Sequence, residues 1–177
     1  MYEYELKIPE ERIAVIIGQK GADKRHLERR LKIKIRVDSN EGQVTLSGDD
    51  SVNLFIAQNV IKAIGRGFNP DIAVLLTNES YGFELVNIKD YTKGSQRKAE
   101  IKRGRVIGTS GKIRKVLEKL TGTSISVYGN TVGIIGRVED LFVAKRAIEN
   151  LLRGSKHGTV ISWLKKQEVK NGRDNSS

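Results

Sequence analysis

The chain is built from one module used twice. Laying Gly18 on Gly108 superposes Ile16-Ile17-Gly18-x-x-Gly21 on Val106-Ile107-Gly108-x-x-Gly111, and at the same offset of 90 Leu27 meets Leu117, Glu28 meets Glu118, Ile35 meets Ile125 and Val37 meets Val127. A turn two residues shorter then aligns Val44, Leu46 and Gly48 with Val132, Ile134 and Gly136. One further residue of slippage aligns Ala57, Ile61, Ile64, Arg66 and Gly67 with Ala144, Ile148, Leu151, Arg153 and Gly154. A length of 177 residues accommodates two small domains, and any structural assignment has to suit both copies.

Charge follows the repeat. Against 32 Lys plus Arg stand 21 Asp plus Glu, a formal charge of +11. Residues 20–36 hold eight bases and two acids, residues 89–119 eleven bases and three acids, whereas residues 38–50 hold four acids and no base. Basic blocks set at like positions in two modules point to a polyanion, because each cation placed against a phosphate releases condensed counterions. With no cysteine and only His26 and His157, disulfide frameworks, thiol catalysis and zinc sites lose their ligands. The histidines are expected on the surface. The N-terminal residues carry no signal-peptide pattern and no apolar run is long enough to span a bilayer, so a cytoplasmic protein without a membrane partner is expected.

Periodicity gives each copy the order strand, helix, glycine loop, helix, strand, strand, helix. In the first copy the alternation at 3–8 reads as a strand. Pro9 opens a helix at 10–17 that Gly18 stops. A second helix follows at 22–31, then a strand at 33–37 with a wet, basic face, a turn at 38–42, a strand around Val44 and Leu46, and a helix ended by Gly65. In the second copy the first strand is expected at 83–88 and its helix at 96–107. The domain reading is 1–67, a connecting segment 68–80, a second domain 81–155 with an insertion near 89–96, a C-terminal helix 156–170 carrying Trp163, and a flexible tail 171–177.

A Gly-x-x-Gly alone is weak, since 18 glycines in this length produce roughly two by chance. Gly133-Ile134-Ile135-Gly136 sits in a strand pattern, which suits close packing or a turn. The other two each end an apolar helix and open a basic one. Without side chains the main chain admits a sugar-phosphate backbone, and amides at a helix start favour anionic oxygens. Val106 and Ile113 stand where a Walker loop needs Gly and Ser or Thr, so no nucleotide hydrolase is indicated. No residue set supplies a nucleophile with its base or a metal cage; an enzyme, a cofactor, a metal and a small-molecule substrate are not expected.

The pattern apolar-Ile-Gly-x-x-Gly, with Leu six residues on, Ile fourteen on and Val sixteen on, resembles the KH RNA-binding domain in both copies, and Thr121-Gly122 matches its usual Thr-Gly. The resemblance implies an α+β fold of two tandem type I KH domains, each a three-stranded antiparallel sheet packed with three helices, plus a C-terminal helix. It also implies that four single-stranded nucleotides lie between the helices joined by the glycine loop and the following strand. Lys24 and Arg114 depart from the usual apolar residue.

Gly67-Phe68-Asn69-Pro70, Ile88-Lys89-Asp90-Tyr91, Val127-Tyr128-Gly129-Asn130-Thr131-Val132, Ile134-Ile135-Gly136 and Arg153-Gly154-Ser155-Lys156-His157-Gly158, with Arg114, resemble the archaeal two-KH proteins related to the eukaryotic "partner of Nob one" factor. Lys156, where Pro is usual, and the lysine-free Gly108-Thr109-Ser110-Gly111 are departures. That resemblance implies a single-stranded RNA-binding protein of small-subunit ribosome biogenesis. Its RNA would be the 3' end region of 16S rRNA, with a Nob-one-type endonuclease and pre-small-subunit ribosomal proteins as partners. A general KH binder in RNA turnover or translation, or a protein scaffold with one inactive copy, remain alternatives.

The RNA-contacting residues expected in the first copy are Ile16, Gly18, Gln19, Lys20, Gly21, Lys24, Arg25, Ile35 and Arg36. In the second they are Arg105, Val106, Gly108, Thr109, Ser110, Gly111, Lys112, Arg114, Lys115, Ser126 and Tyr128. Aliphatics would wall the base pocket, cations would neutralise phosphates, and Tyr128 would stack on a base or pack.

Overall fold

Proline and glycine set the limits of the first helix. In the computed structural model, which describes residues 1–174, Pro9 precedes α1 (Glu10–Ile17), and Gly18, at φ 70°, ends it by donating its N–H to Ala14 O at 2.9 Å. Before it lies β1 (Tyr2–Lys7); after it a 3-10 turn (Gln19–Gly21) leads into α2 (Ala22–Leu31), β2 (Lys34–Asp38), β3 (Gln43–Gly48) and α3 (Ser51–Gly65). Asp50 caps α3 by accepting from the N–H groups of Val52 and Asn53. The sheet order is β1-β3-β2, with β3 antiparallel to both neighbours in the registers Leu6 to Val44 and Ile35 to Leu46. Lys34 and Arg36 therefore face water while Ile35 between them is buried.

Residues 68–80, expected as a connector, fold onto the first unit as α4 (Pro70–Ala73) and a 3-10 turn (Val74–Thr77), both against α3, with Phe68 and Ala73 buried. The chain divides into compact units at Tyr81 and Gly82.

The second unit begins with β4 (Tyr81–Asn87), two residues earlier than expected. It stops short of Ile88 because the Asn87 side chain accepts the Lys89 N–H at 3.0 Å and starts a 3-10 turn (Ile88–Tyr91). α5 (Gln96–Ile107), a 3-10 turn (Thr109–Gly111), α6 (Lys112–Thr121), β5 (Ser124–Tyr128), β6 (Thr131–Arg137) and α7 (Val138–Arg153) repeat the first unit. The sheet order is β4-β6-β5. The architecture is two three-stranded antiparallel sheets with their helices, the α+β class expected.

Gly133 and Gly136 are buried in β6, and a Cβ on Gly136 would lie 2.6 Å from Thr123 Cγ2, so this third Gly-x-x-Gly serves close packing. The last helix, α8 (His157–Asp174), runs past the expected end at 170, taking 171–174 out of the expected tail; 175–177 lie outside the described residues. It packs on α6 and α7 through Val160 and Leu164, and Arg146 sits 5.5 Å from the Trp163 ring centre. Among the described residues no helix is long and apolar enough to cross a membrane.

In both units cations of the first helix hold carbonyls at the end of the helix that follows the sheet, α3 in one and α7 in the other. Arg12 donates from Nε to Ile64 O and from Nη2 to Phe68 O, each at 2.8 Å. Lys102 donates to Leu152 O, and Arg105 to Leu151 O at 3.0 Å and to Ser155 O. The units differ at the end of the second helix, where Gly122 takes the left-handed cap of α6 at φ 68° and Lys32 takes that of α2 at φ 55°. A non-glycine residue there carries a steric penalty of about 1–2 kcal/mol, partly offset in glycine by a more flexible unfolded chain. Lys32→Gly is therefore expected to stabilise the protein by about 0.5–1 kcal/mol in urea denaturation.

Candidate nucleic-acid interface

Each glycine loop joins two helices in four residues, which forces its backbone into the left-handed region. Gly18, Lys20 and Gly21 have φ of 70°, 52° and 74°; Gly108, Ser110 and Gly111 have 73°, 53° and 72°. Two different sequences thus make one loop. A Cβ on Gly18 would lie 2.1 Å from Asp23 Oδ2, and one on Gly108 2.4 Å from Ile113 Cγ1, so the first glycine of each loop is needed for space as well as for torsion. Gln19, Lys20, Thr109 and Ser110 are exposed at the tips.

Beside the first loop, α2 and β2 enclose an open groove of about 640 Å³ lined by Lys24, Arg25, Glu28, Arg29, Ile33, Lys34, Ile35, Arg36 and Ser47. Five of these are bases and one is an acid. The acid has a structural role, because Glu28 Oε1 accepts the Ile35 N–H at 2.9 Å and the Lys24 ammonium at 3.3 Å, tying the helix to the edge strand. In the second unit Glu118 repeats it, bonded to the Ile125 N–H and the Arg114 guanidinium. Burial outweighs these partners and holds the Glu118 carboxyl above its ordinary range. Lys24 and Arg114, which depart from the usual apolar residue, thus both sit beside a carboxylate one helical turn on. In the second unit Ser124 and Ser126 on β5 stand where the first has Lys34 and Arg36, so the corresponding face is less cationic.

The structure brings Lys24, Arg25, Ile35 and Arg36 together and sets Lys20 on the adjoining loop. Arg25 does more than line the groove, since its Nη1 donates to Lys20 O at 2.8 Å and steadies the loop. Lys112 and Lys115 are exposed on α6, while Ser126 and Tyr128 are half-buried on β5.

Three expected contacts need correction. Ile16 and Val106 are fully buried, so their side chains belong to the cores, whereas Ile35, although 3% exposed, lines the groove. Arg105 is taken up by the carbonyls at the end of α7. His157, expected on the surface, is half-buried and donates from Nε2 to Arg105 O at 2.9 Å. Absent from the expected set are Glu28, Arg29 and Lys34, and the signal for the first was its recurrence as Glu118 at the repeat offset.

Comparisons with known proteins agree with this geometry. Residues 82–169 match the eukaryotic type KH-domain (KH-domain type I) family and residues 3–63 the KH domain family. The chain is 42% identical over 169 residues to a KH domain-containing protein of Methanocaldococcus jannaschii, covering 93% of this chain and 74% of that one. It is 30% identical to the pre-rRNA-processing protein pno1 of Aspergillus fumigatus over 80% of this chain, and spans 57% of that longer protein. Among solved structures it is similar to Dim2p of Pyrococcus horikoshii in an a/eIF2alpha-aDim2p-rRNA complex, with 40% identity, a TM-score of 0.88, and 96% of this chain and 95% of that one covered. A protein of unknown function from Aeropyrum pernix gives a TM-score of 0.91 at 33% identity, with 99% and 95% covered.

The raised carboxyl of Glu118 has a pH signature. A folded-state pKa above the unfolded one contributes stability that is full below the unfolded value and is lost as pH rises through the folded one. The stability of the wild type relative to Glu118→Gln should therefore grow as pH falls from 7 towards the ordinary glutamate range, in urea denaturation at matched ionic strength. A difference that shrinks instead would mean that the Arg114 pair outweighs burial.

Proposed function

Since the chain belongs to the family of tandem KH-domain proteins that includes archaeal Dim2p and eukaryotic Pno1, we propose that it is a non-enzymatic binder of single-stranded ribosomal RNA acting in small-subunit maturation. The observation that carries this reading is the duplicated loop: two sequences held at one set of torsions, each opening a basic helix, with a groove between that helix and the edge strand in the first unit. Such a loop lets phosphates approach the main chain, and the strand edge offers backbone groups to bases.

Gly18, Gln19, Lys20, Gly21, Lys24 and Arg36 serve the first groove, with Arg29 and Lys34. Gly108, Thr109, Ser110, Gly111, Lys112, Arg114, Lys115, Ser126 and Tyr128 serve the second. Arg25 positions the loop as well as meeting phosphate. The target is the 3' end region of 16S rRNA. A Nob-one-type endonuclease would supply any cleavage, beside pre-small-subunit ribosomal proteins in the cytoplasm. The relative's capture with rRNA supports the RNA partner. Two grooves on one chain raise affinity through effective concentration.

The two grooves differ in kind. Lys34 and Arg36 give the first a larger sequence-independent share, whereas hydroxyls on β5 suit the second to base edges. Gln19→Asp with Lys20→Asp, and separately Thr109→Asp with Ser110→Asp, test the loops, since Asp tolerates the left-handed torsion and leaves the fold intact. Each pair should weaken binding of a labelled rRNA 3'-end strand by about tenfold or more in anisotropy titration. Unchanged affinity in a folded variant would remove that loop from the site. The chain keeping only its first loop should show a salt slope steeper by about one than the chain keeping only its second. A scrambled strand that binds as well as the native one would favour a general RNA binder.

A further inference from the structure

The second copy carries something the first lacks. Between β1 and α1 the chain needs only Ile8 and Pro9, whereas residues 88–95 separate β4 from α5, and α5 has 12 residues against 8 in α1. The inserted segment is a folded knuckle. Thr92 donates its N–H to Lys89 O at 3.2 Å, Ser95 to Thr92 O at 3.0 Å and Ala99 to Ser95 O at 3.1 Å, while Ile88 and Thr92 are buried beneath. Above them Lys89, Lys93, Arg97 and Lys98 are all exposed. Among the described residues none of the four side chains enters an ion pair or hydrogen bond, whereas Lys102 and Arg105 further along α5 are engaged with carbonyls at the end of α7.

Folding does not account for these cations. The first turn of α5 has no acid, while α1 opens with Glu10 and Glu11 and α7 with Glu139 and Asp140. Cations at that end of a helix oppose its dipole and cost stability. The exposed residues of the knuckle are four cations, one acid (Asp90), Gly94 and Gln96, without the aromatic and aliphatic anchors of a protein-binding centre. The twelve residues of α5 rise about 18 Å, which separates the start of the helix from the Gly108 loop at its other end.

We propose that the knuckle 89–98 is a separate phosphate-binding surface, which takes the backbone of RNA flanking the strand held in the second groove. This rests on the reading of that groove as an RNA site, and its partner is the extended sugar-phosphate chain rather than any base sequence.

The test compares two labelled RNAs in anisotropy titrations at several salt concentrations. One is a 3'-end strand of about eight nucleotides, about twice what one groove holds; the other is the same strand with flanking RNA on each side. The full chain carrying Lys89→Gln, Lys93→Gln, Arg97→Gln and Lys98→Gln should bind the short strand within about twofold of wild type. It should lose about tenfold or more on the long one, with a salt slope shallower by about two to three. A control carrying Lys165→Gln, Lys166→Gln and Lys170→Gln should keep the long-strand affinity, and thermal denaturation verifies both folds. The inference is overturned if the long strand is unaffected, if both strands lose in proportion, or if the control loses as much. A short strand that the wild type fails to bind would sink the groove reading, whereas a long strand still dependent on the knuckle would support the surface on its own.

Discussion

In each unit a carboxylate joins the helix after the glycine loop to the edge strand, and the site depends on it. Glu28 accepts the N–H of Ile35, and Glu118 accepts that of Ile125, so the helix after the glycine loop is fixed against the outer strand of its sheet. Without that bond the edge strand would present an unpaired donor to a half-buried cleft, and groove width would be left to side-chain packing. The same carboxylate sits among cations that would otherwise repel one another. It sets geometry and tempers charge at once, at the expense of placing an acid where an anionic ligand is to come.

Much of this fold was legible because its boundaries are made by residues with few conformational options. Pro9, Gly18 and Gly108 mark helix limits that periodicity alone would blur, and the structure places α1, α2 and α5 within those limits. Where an end is set by side-chain capping, reading fails by a residue: Asn87 draws Ile88 out of its strand. Residues 68–80 look like a linker in one dimension, yet Phe68 and Ala73 find apolar cover on α3.

The site was legible in its loops and less so in its walls. An aliphatic residue beside a glycine loop has the same pattern whether it faces a ligand or a core, and only burial separates the two, as Ile16 and Val106 show. A glutamate on a basic helix likewise looks like solvated charge until strand register brings a backbone N–H to it. The repeat held that information, because Glu28 and Glu118 survive in both copies while most of their neighbours differ. Arg105 reads as a ligand-facing cation from sequence, but the carbonyls that it serves lie about fifty residues further on.

In both units the strand that bounds the groove is also the outermost strand of its sheet. An open strand edge is a template for another strand, and natural sheets guard such edges with charge. Lys34 and Arg36 supply that guard on β2, where alternate side chains point to water, while Ser124 and Ser126 leave β5 without it. The cations that suit the first groove to phosphate therefore also guard the β2 edge against pairing with another strand. Edge protection and phosphate attraction thus fall to the same two side chains.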